Sequence, residues 1–193
     1  MKIALIIVLL IANSLVTNTA DYAIPLTPTP DDYGYTLPIT FGDQTFDMIF
    51  DTGSSNIWVP EIGCTDCGDK TKFDPKRQHL TTQHLPFHIQ YGGGAVSGYI
   101  GACDFMLIFA VVHIPQQVFG LAQSIPPLAA RKKWDGIIGF GLDELDQFGA
   151  LTPLTMLKEN RLITQRIFGV FLGRKRDGTS DLSHVYIVQG LSG

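Results

Sequence analysis

The apolar residues of this chain gather in short runs punctuated by glycine and proline, a spacing that predicts many brief strands and few helices. Tyr35 to Phe41 and Thr45 to Phe50 read as two strands joined through Gly42-Asp43, a two-residue connection that suits a type II′ hairpin. Phe87 to Tyr91 and Val96 to Ile100 read as a second hairpin with Gly92-Gly93-Gly94 at its tip. Phe105 to Val112 is an unbroken run of eight apolar residues, the pattern of a fully buried strand. Gln117 to Gly120 and Asp135 to Gly141 add two more strand-like pieces. One helix is expected: Thr152 caps it, Pro153 suits its first position, Leu154 and Leu157 share a face, and Asn160 ends it. The expected fold is therefore mostly β, a closed or sandwiched domain with one or two short helices.

The first twenty residues stand apart. Lys2 gives a positive start and Ile3 to Ala12 an apolar stretch of ten residues, followed by small residues that offer cleavage after Ser14 or Ala20. Ten residues fall short of the roughly 20 that a helix needs to cross a bilayer. Residues 1–20 are thus expected to be a signal peptide, with a signal anchor as the alternative. Residues 21–193 are the domain proper. The expected location is secreted or lysosomal, within the secretory pathway, with no membrane partner after cleavage. No prosegment is expected between this leader and Ile24.

Composition sharpens that picture. A chain of 193 residues that is 45% hydrophobic, with 20 Gly and 11 Pro, belongs to a β-rich globular class. A net charge of -4 leaves no footprint for nucleic acid. The basic runs Arg131-Lys132-Lys133 and Arg174-Lys175-Arg176 read as solvated loops. Cys64 and Cys67 form a C-x-x-C pair, which in other settings is a redox couple or half a zinc site. No second C-x-x-C exists and the five histidines are scattered, so a small structural disulfide is preferred and no metal site is expected. Cys103 is left over and reads as a buried thiol, or as one half of an intermolecular pair.

The most specific motif is Asp51-Thr52-Gly53-Ser54-Ser55-Asn56-Ile57-Trp58-Val59-Pro60, placed directly after the apolar Met48-Ile49-Phe50. An acid at the end of a buried strand, on a turn that Gly53 lets reverse sharply, is a carboxylate presented by a rigid scaffold. Two further segments follow in order: Ile89-Gln90-Tyr91-Gly92-Gly93-Gly94 and Asp135-Gly136-Ile137-Ile138-Gly139. Together the three resemble the pepsin-like aspartic proteases, over about residues 24 to 190.

That resemblance implies the N-terminal lobe of a two-lobed acid protease, with a ψ-shaped strand crossing and a flap hairpin. It implies that Asp51 is the catalytic carboxylate, supported by Thr52, Gly53 and Ser54. Tyr91, Gly92 and Gly93 match the flap, with Trp58 facing the flap tyrosine. Ile49, Tyr91, Phe119 and Ile137 match the substrate pocket. The activity implied is peptide-bond hydrolysis of a peptide or protein substrate, with no cofactor. The same resemblance calls for a second Asp motif on a second lobe, and this sequence contains one motif only; Asp177-Gly178-Thr179-Ser180 lacks both the order and the preceding apolar strand. Three readings stay open: an endopeptidase present as a single lobe, a homodimer that pairs two Asp51 residues, or a catalytically silent secreted peptide-binding protein.

Overall fold

A computed structural model describes residues 22–77, 79–107, 112–173 and 183–187. The expected leader at 1–20 and the basic run at 174–176 lie outside these residues. Ten described strands form one sheet: β1 (Tyr22–Pro28), β2 (Tyr35–Phe41), β3 (Gln44–Asp51), β4 (Ile57–Pro60), β5 (Thr81–Tyr91), β6 (Gly94–Leu107), β7 (Val112–Ser124), β8 (Gly136–Gly139), β9 (Phe168–Phe171) and β10 (Ser183–Ile187). Their spatial order is β5-β6-β7-β4-β8-β3-β2-β1-β10-β9, and a further pairing of β6 with β2 closes six of them into a barrel. The mostly β fold expected from the sequence is the fold observed.

The two expected hairpins are present. Phe41 pairs with Gln44, so Gly42-Asp43 is the whole connection, and Gly42 takes the positive φ of 59° that the first position of a type II′ turn needs. Tyr91 pairs with Gly94 across Gly92-Gly93. The strands of this second hairpin run far longer than the sequence pattern suggested, because β6 continues past the flap to pair in turn with β7 and β2.

The Phe105–Val112 run is not one strand. Leu107 ends β6, Val112 begins β7, and the two pair antiparallel. Phe105, Leu107 and Val112 are buried, so the described ends of the run belong to two neighbouring strands instead of one.

The barrel fills with aromatic rings. Phe41 lies 4.4 Å from Phe119 and 5.2 Å from Phe105, centroid to centroid, and Phe73 packs edge-on against Phe119 at 5.3 Å. Offset and edge-on pairs of this kind add about 0.5–1.5 kcal/mol each beyond the area they bury. The expected helix is α2 (Pro153–Glu159), bounded by Thr152 and Asn160, and it buries Leu154 and Leu157 in this core; the Thr152 hydroxyl makes no cap bond and donates instead to Asp143 at 2.6 Å. A second, four-residue helix, α1 (Pro127–Ala130), falls within the one or two short helices expected, although its position was not assigned; it starts at a proline that suits its first turn. Neither helix is long and apolar enough to cross a membrane. Cys64 and Cys67 are bonded to each other, and Cys103 is a buried free thiol.

Candidate active site

β3 delivers Asp51 from the barrel core to the surface, and β8 holds it there. The two strands run parallel with Asp51 opposite Gly139, while β4 returns antiparallel along the other side of β8. This is the crossing that the sequence motif implies. The Phe140 amide donates to the Asp51 carbonyl at 2.7 Å, and the Gly141 amide donates to the Ser54 carbonyl at 2.8 Å. Ser55 donates its hydroxyl to the Leu142 carbonyl at 2.6 Å, and the Asn56 side-chain amide donates to Asp146 at 2.5 Å. The loop after Asp51 is therefore pinned on every side by groups from the segment that follows β8.

Within that loop both carboxylate oxygens have donors. The Gly53 amide donates to Oδ1 at 2.9 Å and the Ser54 hydroxyl to Oδ2 at 2.5 Å. Asp51 stays partly open to solvent, and Thr52 and Gly53 are exposed beside it. An oriented carboxylate facing an open cleft can take a proton from water, the role of a general base.

The β5–β6 hairpin stands over this loop. Tyr91 accepts a hydrogen bond at its hydroxyl from Trp58 Nε1 at 3.1 Å, and Trp58 itself is wholly buried. Burial pushes the Tyr91 phenol up to about 12, the neighbouring Asp51 charge adds to the rise, and hydrogen bonds with Trp58 and Ser54 oppose it. The hydroxyl thus couples the flap to the Asp51 loop.

That coupling predicts a pH-dependent penalty. A phenol held above its ordinary value of 10.0 favours the neutral form in the fold, so its stabilisation is intact below that value and is lost as pH rises toward about 12. Tyr91→Phe leaves the Trp58 indole without an acceptor and is expected to cost about 1–2 kcal/mol near neutral pH. Urea midpoints should show this gap narrowing by about pH 11, where the native phenol loses its advantage. An equal gap at both pH values would discount the burial of Tyr91 as its cause.

A cleft of about 610 Å³ opens between flap and loop. Asp51, Tyr91, Gly92, Gly93, Ile49, Ile137 and Trp58 all line it, so the structure gathers these sequence-predicted positions in one place. Asp51 is the one carboxylate among the described residues of the lining. Phe119 is elsewhere. It is completely buried in the barrel core, because on β7 it is Gly120, next in the chain, whose Cα faces the flap-side rings of Phe87 and Phe148.

The far end of the cleft is built from residues the motif did not mark. Trp134 and Leu128 form a wall, and Tyr33 stacks on Trp134 at 6.1 Å. Lys132 covers the Tyr33 ring at 4.4 Å and pairs with Asp31 at 2.5 Å. Its run was read as a solvated loop, which holds for Arg131 and Lys133 but not for Lys132, whose side chain keeps 18% of its surface exposed. Trp134 had a visible signal, a bulky aromatic directly before Asp135-Gly136-Ile137-Ile138-Gly139; Tyr33 and Leu128 had none. Among the described residues, Cys64, Asp66 and Cys67 have the spacing of metal ligands, and the disulfide takes both sulfurs.

Comparison with known proteins identifies the family of the chain. The model of the eukaryotic aspartyl protease family matches residues 32–186, and the chain belongs to that family. It is 33% identical to gastricsin of Cavia porcellus over 167 residues, which cover 82% of this chain and 42% of gastricsin. It is 35% identical to embryonic pepsinogen of Gallus gallus over 162 residues, 80% of this chain and 41% of that protein. Pepsin A of Gallus gallus is 32% identical over 167 residues, 84% of this chain and 45% of the pepsin. The chain thus spans less than half the length of these relatives.

Proposed function

We propose that this chain is one catalytic half of an aspartic endopeptidase, the N-terminal lobe, in which Asp51 activates a water for attack on a peptide carbonyl. The observation that carries the reading is the Asp51 carboxylate, oriented by Gly53 and Ser54 and facing a cleft roofed by the Tyr91 hairpin. Thr52, Gly53 and Ser54 support the loop. Gly92 and Gly93 offer backbone amides at the flap, and Ile49, Tyr91 and Ile137 receive a substrate side chain. Peptide or protein is the substrate class, since an open cleft with an apolar wall can receive the side chains of an extended chain.

The reaction needs an acid and a base together, because two carboxylates held close cannot both ionise and so divide the roles between them. The second carboxylate comes from a second lobe or from a second copy of this one. The apolar surface of β9, its two flanking residues and β10 supports such a partner: Ile167, Val170, Phe171, Leu172 and Tyr186 are all exposed. Residues 1–20 would direct the chain to the secretory pathway, a setting in which a Cys64–Cys67 disulfide persists.

The test is cleavage of a denatured protein at about pH 3 to 5, around the ordinary carboxylate range. The monomeric chain should give little or no pepstatin-sensitive activity. Addition of the C-terminal half of a relative such as gastricsin should restore it. Activity that instead rises with the square of chain concentration marks pairing of two copies. Full activity from a proven monomer would sink the half-enzyme reading.

A further inference from the structure

Behind the Trp134 wall, and separate from Asp51, lies a second pocket of about 330 Å³. Four cationic side chains line it, Lys70, Arg131, Lys132 and Lys133, against two carboxylates, Asp69 and Asp135. The excess of positive charge is local, since the chain as a whole carries -4. Both oxygens of Asp135 are already engaged, accepting the Asp47 and Thr71 amides at 3.0 and 2.8 Å. Lys132 is engaged with Asp31.

Lys70 is the unusual member. It is 8% exposed, yet none of the ion pairs among the described residues includes it. Its ammonium is held by the carbonyls of Trp134 and Lys132 and lies 4.3 Å from the centre of the Trp134 ring. Buried charges are ordinarily paired, because leaving water without a partner charge is unfavourable. Burial pulls the Lys70 amine down to about 8, and the nearby Asp135 charge only partly offsets that fall. The loop that carries it is also fixed: Gly68 sits at φ 64°, and a Cβ there would meet the Ala130 carbonyl at 2.6 Å.

We infer that this pocket is a binding site for a small oxyanion, a sulfate, a phosphate or a carboxylate, held by Lys70 from within and by Arg131 and Lys133 from the rim. An ammonium supplies a point charge and a guanidinium a fork of donors, a combination suited to tetrahedral and planar oxyanions. Because Trp134 and Lys132 line both this pocket and the cleft, the bound anion would rest against the back of the cleft wall.

The test is titration of the chain with sulfate and with inorganic phosphate, read by calorimetry and by tryptophan fluorescence, since one of the two tryptophans contacts Lys70. Chloride at equal ionic strength controls for screening. Saturable binding should weaken roughly tenfold in Lys70→Met and about threefold in Arg131→Ala and in Lys133→Ala, one strong and two outer contacts. If Lys70→Met fails to fold, the Arg131→Ala/Lys133→Ala double variant, altered only at exposed positions, decides the matter. A short glutamate-rich peptide that displaces sulfate assigns the site to an acidic protein segment, and its failure to do so assigns it to a free anion. A response no greater than that of chloride, or equal binding by every variant, overturns the inference. Neither result touches the reading of Asp51.

Discussion

Asp51→Asn should lower the rate of peptide cleavage by roughly a thousandfold or more in any assembly that is competent to cleave, the scale on which general acid–base groups contribute. The substitution is nearly isosteric. An amide oxygen can still accept from the Gly53 amide, which now sits 2.9 Å from Oδ1, so the loop keeps its local anchor. The Phe140 amide bond to the Asp51 carbonyl is a backbone contact and is untouched. Stability should therefore change by no more than about 1 kcal/mol, close to one hydrogen bond. The two measurements separate chemistry from folding. A large loss of rate with an unchanged urea midpoint supports Asp51 as the base. Retained rate with Asn at this position would remove every protease reading, whatever the assembly.

The parts of the fold that were legible in the sequence are those written by adjacent residues. Gly42-Asp43 names its own turn, and Thr152 with Pro153 names the start of α2, because each signal depends on local backbone geometry. The Asp51 loop was legible for the same reason, its ten residues being contiguous. Strand reversal at the Phe105–Val112 run was not, since an apolar run reports burial without reporting direction. Phe119 shows a different limit. Successive side chains on a strand face opposite sides, so a shift of one residue exchanges barrel core for flap side. Residence on β7 was visible, but parity was not. The cleft wall was least legible of all. Tyr33, Leu128, Lys132 and Trp134 converge from two segments about a hundred residues apart, as the Lys132–Asp31 bond spans 101 positions. No local pattern encodes that meeting.

Gly139→Ala in β8 should destabilise the fold strongly, because this glycine lies against the loop that carries Asp51. A Cβ at Gly139 would lie 2.6 Å from both the Ser54 carbonyl oxygen and the Ser55 Cα. Both are backbone atoms, and neither can swing aside as a flexible side chain would. They are fixed by the Gly139 amide bond to the Asn56 carbonyl at 3.0 Å and the Gly141 amide bond to the Ser54 carbonyl at 2.8 Å. Relief of the clash must separate β8 from the loop, and such overpacking should destabilise the fold by about 3 kcal/mol. For a domain of this size that is a fall in Tm of roughly 6–12 °C. Gly139 stands opposite Asp51, so the displacement also moves the carboxylate, and cleavage should fall even where the protein is still folded. Gly92→Ala is the matched control. Nothing lies within 4 Å of its added methyl at the flap tip, so its stability should stay within about 0.5 kcal/mol of the parent. Thermal melts of the two variants side by side decide the point. If Gly139→Ala melts with Gly92→Ala, the close approach of β8 to the Asp51 loop is not what holds the site in place.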